Sequence, residues 1–170
     1  MGMFSGNPKD EPMHYGEAFG IWTYLLGNKG GSVKYQTFIN HCGDKDLKSL
    51  LEEAIQSIHD ENQQVEKLLK ANGLPLPPTP PERSVANLEG IPTGARFNDP
   101  EISATLSMDV AKGLVTCSTM IGQSIREDIG LMFGQFHMNK AQFGAKVLKL
   151  NKEKGWLVSP PLHLNTPNKE

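Results

Sequence analysis

The chain has 170 residues, a formal net charge of −2 and two cysteines, Cys42 and Cys117. This length suffices for one domain around a single core. A balanced charge lacks the basic surplus of phosphate binders, so we expect no nucleic-acid partner. The sequence has no run of about 18 apolar residues, and its start is polar, so we expect neither a membrane span nor a signal peptide. We therefore predict one cytoplasmic domain with reduced thiols, residues 1–170, whose core spans about residues 12–158.

The first predicted helix runs from Pro12 to Cys42. Its apolar residues recur three and four positions apart, as one buried helix face requires. Glycines at 27, 30 and 31 interrupt this pattern. They indicate either a break between two helices or a kink in one long helix. We favour one kinked or briefly broken helix, because its length then matches that of the next helix.

The second helix has the clearest pattern. Gly43 ends the first helix, and Asp44 or Asp46 can cap the second by accepting hydrogen bonds from its free N–H groups. Gly73 supplies the stop. The stripe that alternates by four and three residues predicts bundle packing; it consists of Leu47, Leu51, Ala54, Ile58, Glu61, Val65, Leu68 and Asn72.

A proline-rich segment, residues 74–99, follows the second helix. Its six prolines exclude a continuous helix. Extended polyproline backbone gains about 3.1 Å per residue, so roughly 15 residues can run back along the second helix. We therefore predict a crossover strap that lets the third helix start at the end where the second began.

Two further helices follow the strap. The third begins at Asp99 and ends near Gly122. Ser124 and Glu127 then have the spacing of a capping box, which predicts the start of the fourth helix. The fourth helix ends at Gly155, after a cationic last turn.

Two helix pairs with short internal turns and one long connection have ferritin-like connectivity. The predicted fold is therefore all-α, a ferritin-like four-helix bundle with a long proline-rich crossover between helices 2 and 3. Trp156, Leu157 and Val158 are expected to fold back on the bundle. Residues 165–170 are expected to form a frayed tail.

Four short stretches resemble a family of ferritin-like helical proteins of spore-forming bacteria. The stretches are His14–Trp22, Gly43–Leu47, Asn72–Pro78 and Lys154–Leu157. The resemblance extends from about Tyr15 to Pro161, and the Gly-Leu-Pro-Leu-Pro-Pro strap is its most specific part. The family is a domain of unknown function whose members are described as spore coat proteins.

The resemblance implies a role in the spore coat, but it brings no enzymatic activity with it. Family members also occur as longer chains with two bundles in tandem. A single-bundle chain such as this one is therefore expected to form a homodimer. Other spore coat proteins are expected partners, and the coat is a second expected location besides the cytoplasm.

Ferritin-like bundles are best known for di-iron centres, so metal binding is a specific hypothesis. Such a centre takes a Glu from two helices and Glu-x-x-His from the other two. The sequence has no Glu-x-x-His, and His14-x-x-Glu17 has the reverse order. His14 can equally cap a helix. The other inward candidates are Glu61, Asn62, Asp109, Asp128 and His137.

The positions of these candidates along the bundle axis, their levels, argue against a dinuclear site. A turn near residue 123 places Asp109 opposite His137, whereas the first turn places Glu17 beside Lys70. Glu61 lies two turns from the level of Asp109, so the carboxylates do not converge. Iron or another divalent metal at Asp109 and His137 is the remaining metal hypothesis. For Glu61, pairing with a lysine or arginine is the alternative role.

Three functions are therefore compatible with the sequence. The first, which we favour, is a sporulation-associated protein with a structural or interaction role and no enzymatic activity. The second is a metal-binding ferritin-like protein with a reduced ligand set. The third is a binder of small molecules in the bundle core, where Gly113 and Gly130 could leave room.

Overall fold

The computed structural model describes residues 6–163 and contains four long helices. These are α1 (Tyr15–His41), α2 (Lys45–Ala71), α3 (Asp99–Gln123) and α4 (Glu127–Glu153). Within the described range there is no strand, so the predicted all-α class with four helices is confirmed. None of the described helices combines the length and apolarity needed to cross a membrane.

Helix α1 is continuous, so the brief break considered at residues 27–31 is absent. The helix begins at Tyr15 rather than at Pro12, because His14 caps it. The His14 Nδ1 accepts hydrogen bonds from the N–H groups of Gly16 and Glu17. Glu17 accepts in return from the His14 N–H, which completes a capping box. The capping role considered for His14 is therefore confirmed.

The ends of α2 and the start of α3 follow the sequence signals closely. Asp44 Oδ1 accepts hydrogen bonds from the N–H groups of Asp46 and Leu47, so Asp44 is the cap. Gly73 has φ of 70°, a left-handed conformation that glycine adopts without steric cost. Helix α3 starts with a capping box formed by Asn98 and Glu101.

The start of α4 differs from the predicted capping box. Ser124 lies at the end of α3, where its hydroxyl donates to the Met120 carbonyl, and Arg126 precedes α4 without a side-chain cap of its own. The carboxylate of Glu17, on α1, accepts from the N–H groups of Ile125 and Arg126 instead. Glu17, a buried residue of α1, therefore accepts the backbone hydrogen bonds at the start of α4, whereas Ser124 was expected to cap this helix.

Each helix lies antiparallel to its two neighbours in the bundle. Helices α1 and α2 form one pair, and α3 and α4 form the other. Helix α1 also contacts α3 through Tyr35 and Asp109. Helix α2 contacts α4 through the Glu53–Lys146 ion pair at 2.6 Å, and Asp44 and Lys154, which flank these helices, pair at 2.7 Å.

The segment between α2 and α3 contacts α1 at three levels. The buried Lys29 Nζ donates to the Pro77 carbonyl at 3.1 Å and to the Thr79 hydroxyl at 2.8 Å. Further along α1, Gln36 Oε1 accepts from the N–H of Arg83, and Asn40 pairs with the backbone of Ser84 and Ala86. Single turns of 3-10 helix at Leu88–Gly90 and Thr93–Ala95 follow.

The chain after α4 follows the bundle only briefly. Trp156 is partly buried against the core, as expected. Val158 is 92% exposed, so the expectation that it also folds back is wrong. The tail predicted at 165–170 lies outside the described residues.

The apolar core forms two clusters, one toward each end of the bundle. The first contains residues around Tyr24, Val65 and Phe133, and the second contains residues around Leu51, Leu106 and Val147. Between the clusters lie ionisable and amide side chains, among them Asn28, Glu61 and Lys140.

Candidate functional site: a groove between α1 and α3

A groove of about 580 Å³ opens between α1 and α3. Its walls are the facing sides of these two helices, from Phe19 to Tyr35 on α1 and from Asp109 to Gln123 on α3. Its floor includes Ala54 of α2 and other residues of α2 and α4, so the groove reaches across the bundle. A volume of this size is typical of small-molecule sites.

The glycines that line the groove differ in the space beside them. Gly20, Gly27 and Gly31 all lie on the groove side of α1. A Cβ at Gly27 would meet nothing within 4 Å, so the space beside it is free. Gly113 on α3 has a different role, because a Cβ there would lie 2.9 Å from Lys140 Cδ. The absence of a side chain at Gly113 therefore lets Lys140 cross toward α2.

Glu61 is buried at the inner side of the groove and is fully paired. Its Oε1 accepts from Lys140 Nζ at 2.6 Å. Its Oε2 accepts from the Tyr24 hydroxyl at 2.7 Å and from Asn28 Nδ2 at 3.1 Å. A buried carboxylate requires such donors, since it has lost its hydration. The pairing with lysine considered for Glu61 is therefore present.

Asp109 forms a second ion pair in the groove. Its Oδ2 accepts from Lys34 Nζ and, at 3.0 Å, from the Tyr35 hydroxyl. The two networks lie on successive levels of α1, with Tyr24 and Asn28 at the first and Lys34 and Tyr35 at the second. Both carboxylates in this region are therefore neutralised by lysine ammonium groups.

The phenols in these networks remain protonated donors. Burial, together with the nearby carboxylate of Glu61, raises the pKa of Tyr24 far above its usual value. Burial and the Asp109 carboxylate raise the pKa of Tyr35 in the same way. Cys117, on α3, is also buried, and burial raises the pKa of its thiol. This thiol is therefore a poor nucleophile.

Lys112 is the one charged residue of the groove wall that is not engaged. It is exposed, and its side-chain ammonium has no hydrogen-bond or ion-pair partner in the described part of the chain. It lies between Asp109, which binds Lys34, and Gly113, over which Lys140 passes. Three lysines therefore gather around one turn of α3.

The sequence candidates for a metal site lie at different places in the structure. His14 and Glu17 cap helices at one end of the bundle. Asp128 pairs with Arg126 at the same end, and the salt bridge to the guanidinium holds the pKa of Asp128 below its usual value. Of the predicted residues, Glu61 and Asp109 belong to the groove region. Asn62 instead lines a smaller recess between α1, α2 and the proline-rich segment.

The prediction that Asp109 lies opposite His137 is wrong. A Cβ on Gly144 would lie 2.9 Å from Val110 Cγ1, so Asp109 is level with residues near Gly144, about two turns from His137. The prediction placed the turn near residue 123, but α3 continues through Gln123 and α4 starts only at Glu127. Among residues 6–163 no group of three or more His, Cys, Asp or Glu is arranged to hold a metal ion.

Sequence reasoning missed the side chains that complete both networks, namely Tyr24, Lys34, Tyr35 and Lys140. One signal was available. On α1, Tyr24 and Asn28 are four residues apart, and Tyr35 follows at the same helical face, so polar groups interrupt a core stripe. Nothing local indicated which carboxylates they would meet, because those carboxylates lie 33 to 79 positions away in sequence.

The chain is similar to known proteins over nearly its whole length. The chain is 58% identical to the uncharacterized protein YvdQ of Bacillus subtilis (strain 168) over 164 residues, 96% of each protein. It is 67% identical to a protein of Bacillus halodurans C-125 that bears the provisional name of spore coat protein. The crystal structure of that protein matches with a TM-score of 0.93 and covers 94% of this chain and 100% of the other.

The family model described as protein of unknown function, DUF3231, matches residues 1–168. The resemblance drawn from the four sequence stretches is thereby confirmed. With a match over almost its full length and relatives of this similarity, the chain belongs to the DUF3231 family.

Proposed function

We propose that this protein binds a small, mainly apolar molecule in the groove between α1 and α3. The depth of the groove carries this proposal, since residues of the two opposite helices form its floor. A bundle whose interior is fully packed has no such space. Apolar walls with a few polar groups are the usual character of ligand sites.

Binding of the neutral dye Nile red tests this function. The dye is expected to fluoresce with the wild-type chain and to lose most of that signal in Gly27→Leu, which fills the groove. Gly30→Leu is the matched control, because Gly30 lies on the same helix, has equally free space and is not part of the groove. Equal dye binding by both variants would contradict the proposal.

A structural role in the spore coat is the second candidate. It is supported by the 67% identity to the Bacillus halodurans protein that bears the spore coat name. On this proposal the chain is made in the cytoplasm and enters the coat through other coat proteins. A fluorescent fusion expressed in sporulating Bacillus subtilis should form a ring around the spore and appear in coat extracts. Diffuse fluorescence in the mother cell would contradict it.

We also propose that the bundle is ferritin-like and pairs as a homodimer. The ferritin-like assignment is supported by the antiparallel contacts of α1 with α2 and of α3 with α4, and by the contacts of the proline-rich segment along α1. Exposed apolar side chains on α1, including Tyr15 and Phe19, support self-association. Sedimentation at micromolar concentration should give twice the monomer mass.

Metal binding has weaker support. A divalent ion in the groove would have to displace Lys140 from Glu61 or Lys34 from Asp109. Elemental analysis of protein made in medium rich in iron and manganese tests this alternative. Metal contents far below one atom per chain would eliminate it.

A further inference from the structure

The groove has more positive than negative side-chain charges. Lys34, Lys112 and Lys140 line it, and the carboxylates that face them are Asp109 and Glu61. Three cations against two anions leave one positive charge, and Lys112 is the residue without a partner. A ligand with one negative charge would complete the set.

The lysines of the groove also have hydrogen-bond donors that are not used. Each lysine ammonium has three N–H donors. Lys140 donates to Glu61 and Lys34 donates to Asp109, so both retain donors, and all those of Lys112 are free. The polar group of a ligand at this level must therefore accept hydrogen bonds.

The rest of the groove surface is mostly apolar, although Thr23, Thr116, Thr119 and Gln123 also line it. Val115, 67% exposed, lies within one turn of Lys112, whereas Phe19, 72% exposed, lies at the far end of the groove, where Met120 closes the inner side. From Phe19 to Tyr35 the wall on α1 is about 24 Å long at the rise of a helix. This shape fits an elongated apolar body rather than a compact polar one.

We propose that the groove binds an apolar carboxylic acid. Its carboxylate lies among Lys34, Lys112 and Lys140, and its apolar part extends along Phe19 and Val115. This inference rests on the proposed small-molecule function and adds the chemical class of the ligand to it.

Three probes with the same alkyl chain test the inference by titration calorimetry: dodecanoic acid, its methyl ester and dodecylamine. We expect dodecanoic acid to bind about tenfold more tightly than either of the others, because only it has the matching charge. Lys112→Glu should weaken binding of dodecanoic acid about tenfold. Lys149→Glu is the control, since it makes the same charge change on an exposed part of α4 outside the groove.

The possible outcomes separate the two proposals. If the ester or the amine binds as tightly as the acid, and Gly27→Leu abolishes that binding, the groove is a ligand site but the acid class is wrong. If Lys112→Glu and Lys149→Glu behave alike, the carboxylate does not lie at Lys112, and the inference is overturned. If no probe binds while Nile red binding is still lost only in Gly27→Leu, the inference fails and the small-molecule function stands. If Gly27→Leu and Gly30→Leu bind Nile red equally, both the inference and the small-molecule function fail.

Discussion

Replacing Glu17 with alanine removes a buried carboxylate that joins the start of α1 to the start of α4. Glu17 is 0% exposed. Its Oε1 accepts from the N–H groups of Ile125 and Arg126 at 2.9 and 3.1 Å, and its Oε2 accepts from that of His14 at 3.1 Å. Alanine leaves all three donors without this acceptor.

The expected loss of stability follows from these bonds. A hydrogen bond to a charged group contributes about 1.5–3 kcal/mol, and a negative charge at a helix start adds about 0.3–1 kcal/mol. Ile125 is half exposed, so water can replace part of its lost bond. We therefore expect Glu17→Ala to lower the free energy of unfolding by about 3–5 kcal/mol. Glu17→Gln keeps one acceptor oxygen and should lose about half as much.

Urea denaturation followed by circular dichroism measures this difference. Glu52→Ala is the matched control, because Glu52 is exposed on α2 and has no partner among the described residues. Its unfolding free energy should stay close to that of the wild type. If Glu17→Ala also unfolds within about 1 kcal/mol of the wild type, the capping of α4 by α1 does not stabilise the fold.

Three other changes have defined outcomes. Gly27→Ala should raise the free energy of unfolding by about 0.5–1 kcal/mol, since alanine favours helix and its Cβ meets no atom; a lower melting temperature would contradict this. Lys140→Met should lower it by about 3–5 kcal/mol by leaving Glu61 buried without its cation, and thermal melts within error of the wild type would refute the pairing. Arg126 lowers the pKa of Asp128, so the stability from this pair is present above about pH 4 and is lost in more acid solution. Asp128→Asn should accordingly show a flatter acid limb in stability against pH, and an unchanged limb would count against this assignment.

The sequence predicts the helices well because their signals are local. The apolar stripe of α2, the Asp44 cap and the Gly73 stop each act within a few residues, and the structure has all three. The break considered near Gly27 fails because continuous backbone hydrogen bonding and packing of α1 outweigh the low helix propensity of its glycines.

The contacts between helices are less predictable because they depend on distant partners. The Ser124 capping box has the right residue types, yet Glu17, more than a hundred positions earlier, occupies the role. The register of α3 against α4 also depends on residues that are distant in sequence. Because the turn was predicted too early in the chain, His137 was predicted to lie opposite Asp109. Local spacing contains no information that would have corrected either prediction.

The groove itself was only partly predictable. Gly113 lines the groove, but Lys140 occupies the space beside it that was expected to be open, and Gly130 does not line the groove. The glycines of α1 predict a kink or a brief break, whereas in the structure the helix is continuous and Gly27 has free space beside it. Whether a glycine of α1 leaves free space depends on the distance between α1 and α3, and packing of the whole bundle sets that distance.

A crystal structure of the wild-type chain grown with dodecanoic acid shows whether the groove holds the acid. We expect continuous density between α1 and α3, with the carboxylate within hydrogen-bond distance of Lys112 or Lys140 and the alkyl chain against Phe19. A groove without ligand density at saturating acid, or one closed by movement of α3 onto α1, would contradict this expectation.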